Sequence, residues 1–386
     1  MDRKRIMLSF QYDENWIGGT YYIVNIIKAL NQIDDRDKPV LTILHSAGSN
    51  ISEIEKTNYP YLEYLPFTAS LPFLKRAVNR LFYIFTKKPI FSAKLPKPVD
   101  NFYPVINHSF DRSNIANYYT WIGDFQEHYL PEFFTKTDVA QRKFWQRFIV
   151  NSKIPVVFSS QNALDDFNKF YPENKNKKAV LRFASVIGTN YKTLNVDALL
   201  EKYSIKKPYF IVTNQFWKHK NHTTVIKAFE KLIKSEPNVQ LVLTGKESDY
   251  RNPDYPEKLK KSVLEDNPGG KILFLGFIPR DEQLRLMEQA IAIVQPSLFE
   301  GWSTVVEDAK AIGQFIVLSS LPIHKEQINT NCLFFEPFDV EDLALKMQAI
   351  LKTMPNVRPV DYQQSIRDFA YTFLSLFEME KNQKSR

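Results

Sequence analysis

The feature that most constrains this chain is an alternation of short, β-branched apolar runs with longer amphipathic ones. It runs through the first half, pauses, and starts again. Residues 5–10 (RIMLSF) read as a strand, and residues 18–33 (GGTYYIVNIIKALNQI) as a helix with Ile23, Ile26, Ile27 and Leu30 on one face. Residues 40–46 (VLTILHS) read as the next strand, and YYTWIGD, PVVFSS and AVLRFA continue the series. Strands that alternate with helices belong in a parallel sheet, because a parallel pair needs a crossover long enough to hold a helix. The second series begins at YFIVTN (209–214) and HTTVIKAFEKLIKS (222–235), then passes through VQLVLTG, KILFLGF, AIAIVQPS, FIVLSS and CLFFEP. The expected class is α/β, with two doubly wound domains and a cleft between them. The first domain is placed at 1–185, a polar, lysine-rich linker at 186–207, the second domain at 208–360, and a helix at 361–386 that crosses back to the first domain.

Composition narrows the function without choosing it. The chain has 386 residues, more than one domain's usual share, and a formal net charge of +8. An excess of cations points to an anionic partner. The basic residues are not interleaved with aromatics in any nucleic-acid module, so no nucleic acid is expected. The single cysteine, Cys332, excludes a disulfide framework and a thiolate metal site. The basic start MDRKRIMLSF lacks the apolar core of a signal peptide, and no apolar run reaches the roughly 20 residues of a membrane span. The expectation is a cytoplasmic protein.

Three stretches carry chemistry. Gly18 and Gly19 follow the first strand and open a helix, whose N–H groups and dipole suit a phosphate. A plain tight turn explains them equally well. Asn214, Gln215, Lys218, His219, Lys220, Asn221 and His222 cluster after the strand at 209 and before a helix, a basic cradle for phosphate or a solvated loop. His219 and His222 lack a third metal ligand nearby, so no metal site is expected. LFEGWSTVVEDAKAIG (298–313) aims Glu300 and Glu307 at the carboxyl edge of a sheet, where open α/β sheets bind ligands. Glu307 could hold two ribose hydroxyls with its two oxygens or simply offset the helix dipole. The backbone at Gly301, Trp302 and Ser303 could meet a sugar.

Together these motifs resemble the retaining glycosyltransferases of family 4, of the glycosyl transferase group 1 type, with GT-B architecture: two Rossmann-like domains facing a central cleft. The matching stretches are IGGTYYIVNIIKAL, NQFWKHKN and, most specifically, LGFIPRDEQLRLMEQAIAIVQPSLFEGWSTVVEDAKA. The resemblance implies that Gly18 and Gly19 approach the diphosphate, that Lys220 binds it, and that Asn214 or Gln215 stands where the family has an arginine. Lys218 or Arg182 would then supply the missing charge. It implies that Gly276, Phe277 and Ile278 line the base, that Glu300, Gly301, Trp302, Ser303 and Thr304 border the donor sugar, and that Glu307 binds the ribose. His128 is taken for the family's first-domain histidine, with Glu127 and His108 as weaker candidates. Six residues, not the family's seven, separate Glu300 from Glu307.

What this implies is a metal-independent, retaining transfer of a hexosyl group from a nucleotide diphosphate sugar to an acceptor hydroxyl. The nucleotide sugar is a co-substrate and no cofactor is required. Glu300 and His128 are the catalytic candidates, with no enzyme nucleophile. The implied setting is bacterial surface polysaccharide (O-antigen or capsule) assembly on a glycan or lipid-linked acceptor. A non-catalytic nucleotide-sugar binder and a nucleotide-sugar epimerase are the alternatives. Residues 71–98 hold seven lysines and arginines and no acidic residue, with Leu74, Ala77, Val78, Leu81 and Phe85 at helical spacing. Such a segment suits an anionic membrane surface, which would make the protein peripheral on the inner face of the plasma membrane; packing on the first domain's sheet is the other reading.

Overall fold

The computed structural model describes residues 3–14, 17–67, 71–86, 90–105, 111–264 and 270–378. The chain forms two compact units: Met1–Glu127, Lys136–Val186 and Gln363–Arg386 make the first, and His128–Thr135 with Ile187–Tyr362 make the second.

In the first unit, β1 (Arg5–Ser9), β2 (Val40–His45), β3 (Leu62–Pro66), β4 (Val99–Tyr103) and β5 (Ile115–Tyr118) form a parallel sheet in the order β3-β2-β1-β4-β5. A second parallel sheet joins β6 (Thr120–Ile122), β7 (Val156–Phe158) and β8 (Lys178–Val180) in sequence order. The helix Ile17–Asn31 follows β1 and buries Ile23, Ile26, Ile27 and Leu30, the face its periodicity marks. Tyr22, Val24 and Ala29 are buried as well, so the helix is enclosed on more than one side. The helix Tyr362–Ser375 leads into this unit. Phe373 meets Tyr103 edge-on at 5.5 Å, and the Tyr119 hydroxyl donates to the Leu376 carbonyl.

The second unit is built on β9 (Tyr209–Val212), β10 (Gln240–Thr244), β11 (Ile272–Gly276), β12 (Ala292–Gln295), β13 (Ile316–Ser319) and β14 (Cys332–Phe335). All pair in parallel, in the order β11-β10-β9-β12-β13-β14. Helices cover both faces, so the central strands are buried at every position, and that is why they read as unbroken apolar runs. Phe210, Val212, Leu241 and Phe229 pack on one face, and Tyr209, Ile211, Val242 and Leu318 on the other. Each such side chain contributes about 1.5–3 kcal/mol by leaving water. Residues 187–207, expected as linker, belong to this unit. They form a short turn (Asn190–Thr193) and a helix (Val196–Lys202), and Tyr191, Leu199 and Ile205 enter its core.

The basic segment forms the helix Phe73–Thr86. Its apolar face is not spent on the sheet: Phe73, Leu74, Val78, Leu81 and Phe82 are all exposed, Leu74 by 76%. Asn79 is the buried contact, with its amide nitrogen donating to the Phe91 carbonyl and its oxygen accepting from the N–H groups of Ile90 and Phe91. Among the described residues no helix is long and apolar enough to cross a membrane.

Candidate active site

Strand order in the second unit reverses between β9 and β12. Ligands of doubly wound sheets bind outside the carboxyl ends of the strands at that point. The loop after β9 carries Asn214, Gln215 and Lys220, and the loop after β12 carries Glu300 to Ser303, so two of the sequence motifs meet at the reversal.

The backbone ties these loops together. The Leu298 N–H donates to the His219 carbonyl at 2.8 Å. Asn221 adopts a left-handed conformation, which asparagine tolerates, and its amide donates to the carbonyls of Pro296 and Pro337. A Cβ at Gly245, just past β10, would lie 2.1 Å from the Asn214 carbonyl oxygen, so only glycine lets β10 end against this loop.

Side chains complete the connection. The Lys220 ammonium donates to Glu300 Oε1 at 2.6 Å, with both side chains largely buried. The same oxygen accepts from Gln295 Nε2 at 2.8 Å and Ser297 Oγ at 2.6 Å. Gln295 ends β12 fully buried, and its Oε1 accepts from Asn214 Nδ2 at 2.7 Å. Asn214 therefore turns its amide onto Gln295. Gln215 is half-buried, and the Lys218 ammonium lies 5.0 Å from the Phe133 ring. Arg182 is an exposed residue of the first unit.

Ser303 caps the helix Thr304–Ile312 by accepting from the Val306 N–H. Glu307 lies in that helix's first turns, buried, and the protein occupies both of its oxygens. Oε1 accepts from Gln327 at 2.9 Å and Lys310 at 2.8 Å, and Oε2 accepts from the Tyr362 hydroxyl at 2.6 Å. The seven-residue spacing falls one position later, on Asp308, which is equally buried and accepts from Arg280 at 2.5 Å. Counting to seven rather than to the next glutamate would have found it. Gly301, Trp302 and Thr304 are half-buried around this cap. Gly276 takes a left-handed φ of 65° and its carbonyl accepts from the Gly245 N–H; Phe277 beside it is 76% exposed, while Ile278 is buried.

The remaining candidates lie on other elements. Gly18 and Gly19 lie in the first turn of the helix Ile17–Asn31 in the first unit, and a Cβ on Gly18 would meet no described atom within 4 Å. Glu127 is held in the first unit by Arg142 (2.8 Å) and Gln146 (2.6 Å). His128 is half-buried and begins the segment His128–Thr135 that belongs to the second unit. That segment rests there through Tyr129, 5.5 Å from the Phe299 ring, and Phe134, 4.4 Å from the Arg251 guanidinium. His108 lies outside the described residues. Among those described, no group of three or more His, Cys, Asp or Glu side chains is placed to hold a metal ion. His222 is stacked on Phe216 at 4.4 Å, and burial pushes its pKa down to about 3.

Sequence reasoning passed over Gln295, Ser297, Gln327 and Tyr362. Gln295 left a trace: a lone amide ending an apolar strand must find partners once buried.

Residues 197–366 match the family described as Glycosyl transferases group 1. An O-antigen chain mannosyltransferase, RfbU of Salmonella typhimurium, is 24% identical over 222 residues, and the match covers 56% of each chain, so little more than half of that relative's length is spanned. A glycosyltransferase structure from Rickettsia africae superposes with a TM-score of 0.64 at 15% identity, covering 100% of this chain and 98% of that one. Anabaena Alr3699/HepE, solved with UDP and glucose, gives 0.63 at 14%, covering 99% of both chains. The chain has the α/β fold of the GT-B class, and its residues 197–366, under half of its length, match the group 1 glycosyl transferases.

Proposed function

We propose that the protein is a retaining glycosyltransferase of family 4 type that moves a hexosyl group from a nucleotide diphosphate sugar to a glycan or lipid-linked acceptor in bacterial surface polysaccharide assembly. The observation that carries the reading is the Lys220–Glu300 pair at the reversal of strand order. It sets a cation for the diphosphate beside a carboxylate for the sugar, at the edge where such sheets take ligands. Mannose is the first sugar to test, because the Salmonella relative is named as a mannosyltransferase.

Lys220 meets the charge that develops on the leaving diphosphate, and the helix start at Gly18 and Gly19 offers N–H groups of the kind a phosphate takes, so the reading requires no metal. Phe277 offers an exposed ring to the base. Glu300 takes the sugar hydroxyls, and His128 serves the donor sugar as the second catalytic candidate. Attack on the face that the leaving group departs retains the anomeric configuration without an enzyme nucleophile. A membrane-borne acceptor is supported by the helix Phe73–Thr86, which carries Lys75 and Arg76 beside the exposed Leu74, Val78 and Leu81, a combination that suits an anionic surface and a peripheral protein on the cytoplasmic face.

The test is thermal denaturation against GDP- and UDP-sugars, with and without EDTA. A donor at 100 times its dissociation constant adds about 2.7 kcal/mol. Stabilisation by one nucleotide sugar, unchanged by EDTA, supports the reading. No response to any donor removes it, and a response that needs manganese removes metal independence. A donor turned over without acceptor would favour an epimerase.

A further inference from the structure

The family resemblance puts a diphosphate-binding arginine at Asn214 or Gln215, and the Asn214 side chain does something else. Asn214 is 3% exposed and gives its amide hydrogens to Gln295. Gln295 hands the contact on, with Nε2 within 2.8 Å of Glu300 Oε1 and 3.1 Å of both Ser297 Oγ and Ser303 Oγ. The assignment of both amides follows from chemistry. A carboxylate only accepts, so Gln295 must turn its nitrogen to Glu300 and its oxygen to Asn214, and Asn214 must answer with nitrogen. Glu300 Oε1 thus collects three donors, from Gln295, Ser297 and Lys220, while Oε2 has no hydrogen-bond partner among the described residues. One oxygen is fixed and the other is presented.

We propose that Gln295, backed by Asn214, is a positioning residue: it fixes the rotation of the Glu300 carboxylate so that Oε2 faces the donor sugar, and Asn214 does not touch the diphosphate. The inference rests on the donor reading above. A buried carboxylate with one pinned oxygen can accept a sugar hydroxyl without first being reoriented. The Ser303 contact reaches the cap of the helix Thr304–Ile312, so the same amide also sets the start of that helix against Glu300.

Two experiments test this. The first needs no ligand. Gln295→Met, which keeps length but has no donor, is combined with Glu300→Gln in a double-mutant cycle read by urea denaturation. Positioning predicts that the two effects fall short of adding by at least fivefold in the folding equilibrium constant; additivity overturns the proposal whatever the donor is. The second measures dissociation constants for GDP and GDP-mannose, and for UDP and UDP-glucose. For the pair that wild type binds, Gln295→Met and Asn214→Leu should leave the nucleoside diphosphate within twofold. They should weaken the corresponding nucleotide sugar at least tenfold, with kcat falling more than KM rises. Asn214→Ala is the second variant if Asn214→Leu does not fold. A tenfold loss of nucleoside diphosphate affinity in either Asn214 variant would place that side chain on the diphosphate and overturn the proposal. If the cycle shows coupling but wild type binds none of the four probes, the donor reading has failed and the role at the sugar falls with it.

Discussion

Replacing Lys220 by alanine and Glu300 by glutamine should move nucleoside diphosphate binding in opposite directions. Lys220 donates to Glu300 at 2.6 Å with side chains 18% and 9% exposed. A diphosphate that arrives at Lys220 therefore competes with a carboxylate already there. Lys220→Ala removes a charge-assisted contact to phosphate of about 1.5–3 kcal/mol, or about 10- to 150-fold in affinity. It also leaves Glu300 with only Gln295 and Ser297 as donors. Breaking a fully buried pair costs about 3–5 kcal/mol; the two remaining donors and the residual exposure put this case near the lower end. Glu300→Gln frees Lys220 and takes a negative charge away from the diphosphate, so affinity for the nucleoside diphosphate should rise severalfold while transfer collapses. Calorimetric titration of both variants with GDP and UDP, beside urea denaturation to confirm folding, reads the two signs. If both variants weaken the nucleoside diphosphate to the same degree, the pair is structural and the division of labour between cation and carboxylate is wrong.

Other expectations follow from particular contacts. Glu307→Gln should lower stability by about 2 kcal/mol or more in urea denaturation, because a buried carboxylate holding Lys310, Gln327 and Tyr362 loses its charge. An unchanged midpoint with weakened nucleotide binding would return Glu307 to the ribose. His222 has a folded pKa lowered by burial to about 3, so its stabilising contribution is complete above about pH 6.5 and drains away as pH falls towards 3. At pH 5 the loss is about 2 kcal/mol, and His222→Phe should flatten that part of the stability profile; an identical slope in the variant contradicts this. On the membrane side, the protein should float with anionic vesicles at low salt, and changing Lys75, Arg76 and Arg80 together to glutamate should release it, each cation contributing about 1 kcal/mol. Indifference of the wild type to anionic vesicles would make the exposed face of that helix a protein contact.

Legibility in the sequence followed burial. The central strands of the second unit, β9, β12 and β13, are covered on both faces, so their apolar runs stood out. β3 and β4 did not, because LEYLP and VDNFY mix exposed polar residues with apolar ones. The stretch 186–207 was read as linker for its lysines, while the sparse apolar positions Tyr191, Leu199 and Ile205 decided its structure. At the site, Lys220 and Glu300 were visible because each lies in a loop that follows an apolar strand and opens a helix, within the stretches NQFWKHKN and LFEGWSTVVEDAKA that carry the family resemblance. Their supports were not: Gln295 and Ser297 are ordinary residue types whose importance arises only when the β9 and β12 loops are brought together. Tyr362 lies 55 residues from Glu307, and no local pattern links them.

The site at the reversal of strand order is expected to transfer a sugar from a nucleotide donor. The direct measurement is the fate of radiolabel from GDP-mannose, with UDP-glucose alongside, incubated with membrane lipid extract and either wild type or Glu300→Gln. Wild type should move label into a lipid-extractable product with its anomeric configuration retained, and Glu300→Gln should bind the nucleoside diphosphate but move at least about 100-fold less label. Transfer by Glu300→Gln at the wild-type rate, or no transfer by wild type from any nucleotide sugar it binds, would contradict it.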